Sequence, residues 1–338
     1  MPEDSTKRPK LGPTDATIDR AYALRVLPRR AFGAHKWGVG GLVIVAGAPG
    51  FAGAAILSAL AAGRAGAGIM NVAAPRSLTG AVVVHVPEAA TIPLPEGEAA
   101  GNRRALDLLE KKLEKSAALL VGPGLGEDES ADALMGALFG GKAARARIGF
   151  GVGATATTGE SGIEQGIAQD AGKPIAIDAD ALNWLAKQPE WTALLPKGAA
   201  VLTPHVGEMG RLLGKESADL IADPLATVRG AAKAWGQTVV FKYGYTAVSD
   251  GERTLVAEDA PASLATAGAG DVLAGTIGAF LAQGLAPLDA GALAVYVGMR
   301  AARRVEERVG TLGLVAGDLP LAIAEELAAL EREAGDGA

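Results

Sequence analysis

The chain has 338 residues, 49% of them apolar and 21% charged, with a net charge of −6. That length suits one large α/β domain or two small ones and supports a sizeable packed core. With 4% aromatics, no cysteine and no long Lys/Arg run, the composition argues against nucleic-acid binding, disulfides, thiolate metal sites and cysteine nucleophiles. No apolar run reaches the ~20 residues of a membrane helix, and the polar start MPEDSTKRPKLGPTD carries no signal pattern. A cytoplasmic protein working away from membranes is expected. Three histidines occur, His35, His85 and His205, and no two share the i, i+4 spacing of a helical zinc site.

Residues 1–20 lack periodicity and are expected to form a disordered tail. Residues 21–332 are expected to form one catalytic domain, with a short tail at 333–338. Leu42 to Ala46 reads as a fully buried strand that breaks at Gly47-Ala48-Pro49-Gly50. A helix from Gly53 to Ala65 and a strand from Ile69 to Ala73 complete a βαβ unit. Val82 to Val86 is expected to be a strand and Arg103 to Lys115 an amphipathic helix. Ala117 to Val121 is a strand stopping at GPGLG, followed by a helix from Ser130 to Phe139. The Gly- and Thr-rich text from Gly140 to Gly166 has weak periodicity and reads as a long loop or small insertion.

Alternation resumes at Pro174 to Ile177, ending on Asp178-Ala179-Asp180, where a helix begins. Ala199 to Leu202 is a strand ending at Thr203-Pro204-His205, and Glu208 lies in the following helix. Pro224 to Trp235 is a helix with proline in its first turn. Thr238 to Phe241 is a strand ending at Lys242, and Asp250-Gly251 is the strongest hairpin signal in the chain. Two further helices span Pro287 to Val309 and Asp318 to Leu330. The pattern predicts a doubly wound α/β layer sandwich with a mostly parallel sheet and an antiparallel element near its end.

The segment LATAGAGDVLAGTIGAFLAQG carries the sharpest chemistry. Ala267-Gly268-Ala269-Gly270 runs into Asp271 and an apolar helix with Val272, Leu273, Ile277, Phe280 and Leu281 at helical spacing. Unpaired N–H groups at that helix start, beside glycines that permit close approach, make an anion site suited to phosphate. A carboxylate at its mouth is a candidate base, unless Asp271 merely caps the helix. In a parallel sheet the glycine loops, Asp178, Asp180, His205, Glu208 and Lys242 would share one edge with it, which is a phosphoryl-transfer inventory. Bland alternatives stand beside each. His205 could be a backbone-satisfied histidine, Asp178 and Asp180 caps or hydrogen-bonders, Glu208 a first-turn dipole complement, and Lys242 a side chain snorkelling from a strand end. Lys36 reads as a solvated charge and His85 as structural.

Seven segments in order carry a resemblance: His35-Lys36 to Gly40, GAPGFAGAAILSALAAGRAGAG, VGPGLG, IDADALNWL, LTPHVGEMGRLL, VVFKYGYT and LATAGAGDVLAG. Together they resemble the ADP/ATP-dependent NAD(P)H-hydrate dehydratases, of ribokinase-like three-layer α/β/α fold. The resemblance implies phosphorylation of a ring hydroxyl on hydrated NADH or NADPH by ADP or ATP with Mg2+, then loss of phosphate. It implies Asp271 as the base and Ala54, Gly126, His205 and Asp271 as contacts to the hydrated dinucleotide. Lys242, Gly244, Thr246, Gly268 and Gly270 would hold the nucleotide, and Glu208 and Asp178 would organise metal or water. It also implies a homo-oligomer, tetramers included. The epimerase domain that some members carry at the amino end is expected to be absent, because about 20 to 30 residues of tail are too few to hold it.

Two departures bear on nucleotide preference and rate. Tyr243 stands where the family has glycine after the lysine, and a side chain there is expected to crowd the phosphates. Val297-Gly298 replaces His-Gly in a later helix. A vitamin-precursor or sugar kinase of the same fold, and a non-catalytic nucleotide-binding paralogue, are the competing readings.

Overall fold

A computed structural model describes residues 9–13, 15–96, 103–140 and 166–336. Ten strands form one sheet: β1 (Asp15–Ile18), β2 (Gly41–Val45), β3 (Ile69–Pro75), β4 (Ala90–Leu94), β5 (Ala118–Val121), β6 (Ile175–Ile177), β7 (Ala200–Leu202), β8 (Thr238–Lys242), β9 (Thr246–Ser249) and β10 (Thr254–Ala257). Their order across the sheet is β1-β10-β9-β8-β7-β6-β5-β2-β3-β4. From β8 to β4 every pairing is parallel, whereas β9 runs antiparallel to β8 and β10. The Asp250-Gly251 hairpin joins β9 to β10 as expected, with Asp250 accepting from the N–H groups of Glu252 and Arg253.

Both faces of the sheet are covered, so strand residues divide by parity. Leu42, Ile44, Leu120, Ala176, Val201 and Val240 pack under the helices Ala52–Arg64, Ala269–Ala282, Pro287–Gly313 and Leu319–Asp336. Val43, Val45, Leu119, Val121, Ile175 and Leu202 face the opposite layer, with helices Glu129–Phe139 and Asp180–Ala186. Val239, Phe241 and Val256 pack against helices Val206–Leu213, Ser217–Ala222 and Pro224–Trp235. This is the expected three-layer sandwich.

One helix crossing positions the site. Gly275 lies so close to Ser58 that a Cβ there would collide with the Ser58 carbonyl. The Ser58 hydroxyl in turn donates to the Asp271 carbonyl at 3.1 Å. The helix that begins before Asp271 is thereby locked onto the helix that carries Ala54.

Three expectations are corrected. Val82 to Val86 is not a strand: helix Thr79–His85 covers it, with Val82 and Val86 buried and Val83 and Val84 exposed, a helical rather than a strand distribution. The edge strand is β4 instead. Part of the expected amino-terminal tail is a strand, because β1 adds parallel to β10, buries Ile18 completely and ion-pairs Asp15 with Arg229. Helix Arg20–Val26 follows. The expected carboxy-terminal tail is helical through Asp336, and its Glu333 pairs with Arg20 at 2.7 Å. Most of the Gly- and Thr-rich segment, residues 141–165, lies outside the described residues. Its ends meet, since a Cβ on Gly166 would collide with the Leu138 carbonyl and the Phe139 backbone beside Gly140. No helix among the described residues is long and apolar enough to cross a membrane.

Candidate active site

The carboxyl ends of β2, β5, β6, β7 and β8 carry the motif loops, and hydrogen bonds knit these loops together. Gly47 N–H donates to the Pro123 carbonyl at 2.8 Å, joining the GAPG and VGPGLG loops. A Cβ on Gly124 would lie 2.7 Å from that of Ala54. Gly122, at φ +129°, backs onto the Asp178 carbonyl so closely that no side chain fits. Gly126 N–H donates to Asp180 Oδ2 at 2.8 Å. Asp180 is therefore a loop anchor and not a cap. The cap position falls on Ala179, held at φ +52° with no side-chain cap bond.

Lys242 is placed by an extension of the β7–β8 pairing, a parallel bridge between His205 and Lys242 in which Lys242 N–H donates to the Pro204 carbonyl at 3.0 Å. Its Nζ lies 3.1 Å from Oδ1 of the buried Asp178. Thr203 also donates its hydroxyl to that oxygen. Lys242 thus does not snorkel to solvent. Burial works against its charge, but Asp178, Glu208 and Asp271 hold its pKa above the ordinary lysine range. Thr203 was legible in the TPH segment and its role as a lock on Asp178 was missed.

The GAGD helix start sits on this pair. A Cβ at Gly270 would lie 3.7 Å from both Asp178 Oδ2 and Lys242 Nζ. Helix Ala269–Ala282 begins after Gly268, which occupies the left-handed region at φ +89° and makes no side-chain cap. Asp271 is in the first turn, and its carboxylate does not cap the helix. That leaves the first-turn N–H groups without partners inside the helix. Burial and the charge of Asp178 push the Asp271 carboxyl up to about 6, with Lys242 opposing. A carboxylate titrating there suits proton transfer near neutrality.

His205 caps its own helix. Its Nδ1 accepts from the N–H groups of Gly207 and Glu208 at 3.0 and 3.3 Å, while Glu208 Oε2 accepts from His205 N–H at 2.8 Å. The ring is half-exposed, and its Nε2 lies 3.4 Å from Glu208 Oε1. Burial, then Lys242 and Arg211, hold the imidazole below its ordinary pKa, which keeps it neutral. Burial raises Glu208 to about 7 against the opposing charge of Lys242. Lys242 and Thr246 pair across the β8–β9 turn that contains Gly244.

Tyr243 does not crowd this region. Strand parity turns it with Phe241 into the core, ring centroids 5.2 Å apart, and its buried hydroxyl has no hydrogen-bond partner among the described residues. Val297 is likewise a fully buried core residue. Of the two residues expected to organise metal or water, Asp178 is paired through Oδ1 with the Lys242 ammonium and Glu208 through Oε2 with the His205 N–H. Among the described residues no group of three or more His, Asp or Glu side chains could hold a metal ion.

The family model of NAD(P)H-hydrate dehydratase matches residues 42–325. The chain belongs to this family. It is 34% identical over 303 residues to the ADP-dependent (S)-NAD(P)H-hydrate dehydratase of Neisseria meningitidis, covering 87% of each chain. At 35% identity it covers 90% of its own length but 50% of the bifunctional NAD(P)H-hydrate repair enzyme of Salinibacter ruber, so it spans about half the length of such relatives. A ribokinase-like superfamily protein of Enterococcus faecalis has the same fold, with a TM-score of 0.75 at 21% identity over 96% of this chain and 99% of that one. The Bacillus subtilis ADP/ATP-dependent NAD(P)H-hydrate dehydratase, co-crystallised with ATP/Mg2+, gives a TM-score of 0.70 at 22% identity over 94% and 98%.

Proposed function

We propose that the chain dehydrates hydrated NADH and NADPH at the expense of ADP or ATP. The observation that carries this reading is Asp271, uncapped and half-buried in a helix's first turn beside the Lys242–Asp178 pair. Asp271 takes the proton of the ring hydroxyl as its oxygen attacks the terminal phosphorus. The bond from that phosphorus to the bridging oxygen breaks, leaving AMP from ADP or ADP from ATP. The ring nitrogen's electron pair then expels phosphate, and loss of a proton from the adjacent carbon restores the double bond.

The main-chain N–H groups from Gly268 to Asp271 stabilise the phosphoryl group as charge builds on it. Lys242, Gly244 and Thr246 lie along the nucleotide phosphates and Gly270 touches the nucleotide. Ala54, Gly126 and His205 contact the dinucleotide. Magnesium belongs with the nucleotide phosphates and water in this reading, since Asp178 is committed to Lys242. The reading includes a cytoplasmic homo-oligomer, with fully exposed Phe32 and Leu312 as candidate contact residues, checked by light scattering.

The test is incubation with hydrated NADH, ADP and Mg2+. Nucleotide-dependent recovery of reduced-nicotinamide absorbance, matched by free phosphate, is expected. A stable phosphorylated product without phosphate release identifies a kinase instead, and no nucleotide-dependent change at all removes the proposal.

A further inference from the structure

The glycine loops beside Ala54 and Gly126 also wall a cavity of about 420 Å3. Its deep wall is apolar, with Ala73, Leu94, Leu125 and Leu134 all buried. Its charged lining residues, among the described residues, are Glu96, Asp128 and Glu129, all solvent-exposed and all acidic. Ala48 brings the cavity to Gly126, since a Cβ on Gly126 would lie 3.9 Å from that of Ala48.

The sheet order fixes what this cavity can serve. Lys242 ends β8, the cavity lies at the ends of β2, β3, β4 and β5, and β6 and β7 separate the two. At ~4.8 Å per strand, β2 stands roughly 19 Å from β8. The nearest cavity wall, after β5, is still three strands or roughly 14 Å from Lys242, where the proposed function places the nucleotide phosphates. A dinucleotide reacting at Asp271 has a second nucleoside that must lodge elsewhere on the same edge.

We propose that the cavity holds the adenosine half of hydrated NADH, its base against Leu94, Leu125 and Leu134 and its ribose hydroxyls donating to the acidic rim. The inference rests on the dehydratase reading above. An apolar concavity with few polar groups suits a flat base, and carboxylates recognise a ribose diol. Binding energy from this remote half then supports turnover at the ring.

The test compares hydrated NADH with the hydrated reduced nicotinamide mononucleotide, which lacks the adenosine, under saturating ADP and Mg2+. Wild-type kcat/KM should favour the dinucleotide at least tenfold. Pro95→Trp and, independently, Glu96→Trp fill the cavity mouth from exposed or partly exposed positions. Each should cut that preference to less than threefold while mononucleotide turnover changes less than twofold. Equal use of both substrates by the wild type, or equal effects of both variants on both substrates, overturns the adenosine pocket and leaves the dehydratase reading standing. Absence of wild-type turnover on both substrates overturns both readings.

Discussion

At the scale of single residues, Asp271 bears the chemistry that the proposed function needs. Asp271→Asn keeps the shape but cannot accept the hydroxyl proton, so turnover should fall at least 10²–10⁴-fold with ADP affinity within a few-fold. Near-normal turnover, measured as phosphate release, would remove Asp271 from the reaction. Because the raised carboxyl must be ionised to act, kcat/KM should be flat above about pH 6 and fall tenfold per unit below it. The residual rate of Asp271→Asn should lack that limb. Tyr243 makes a different forecast. Its orphaned buried hydroxyl costs desolvation without return, so Tyr243→Phe should leave activity unchanged and stability unchanged or raised by up to ~1–2 kcal/mol in urea titration. The motif residues at the site were legible in sequence because their types and order are unusual together. The commitment of Asp178 to Lys242 and Thr203 was not, since it joins three strands whose ends meet only in the fold. The inward turn of Tyr243 is legible from its strand parity with Phe241.

At the scale of elements, the crossing of Ala52–Arg64 with Ala269–Ala282 couples packing to chemistry. Gly275→Val would force these helices apart and move the Asp271 carbonyl off the Ser58 hydroxyl. The expected result is a loss of several kcal/mol of stability, or no soluble folded protein. A normal melting temperature would show that the crossing is not held by close backbone contact. Helices with strong periodicity or a proline start, such as Pro224–Trp235, were legible to the residue. The valine run Val82 to Val86 was not, because β-branched residues favour strands locally while burial of Val82 and Val86 four apart decides for a helix. β1 was missed because four residues carry too little periodicity to announce a strand. Its order comes from pairing with β10 and from the Asp15–Arg229 ion pair.

For the whole molecule, the layered architecture followed from the alternation of buried strands and helices, while the strand order could not be read without the crossovers. The Gly- and Thr-rich stretch read as an interruption of that alternation, and residues 141–165 of it lie outside the described residues. The described residues on either side of it, Gly140 and Gly166, stand back to back. The cost of closing a segment between two such neighbours grows only logarithmically with its length. Replacing residues 141–165 with a linker of about four glycines and serines should shift the melting temperature by less than ~3 °C. A fall of more than ~10 °C would show that residues 141–165 support the stability of the rest of the chain. The doorway so formed is a natural splice point: a fluorescent reporter or affinity module with neighbouring termini could be seated there, leaving the catalytic rim untouched.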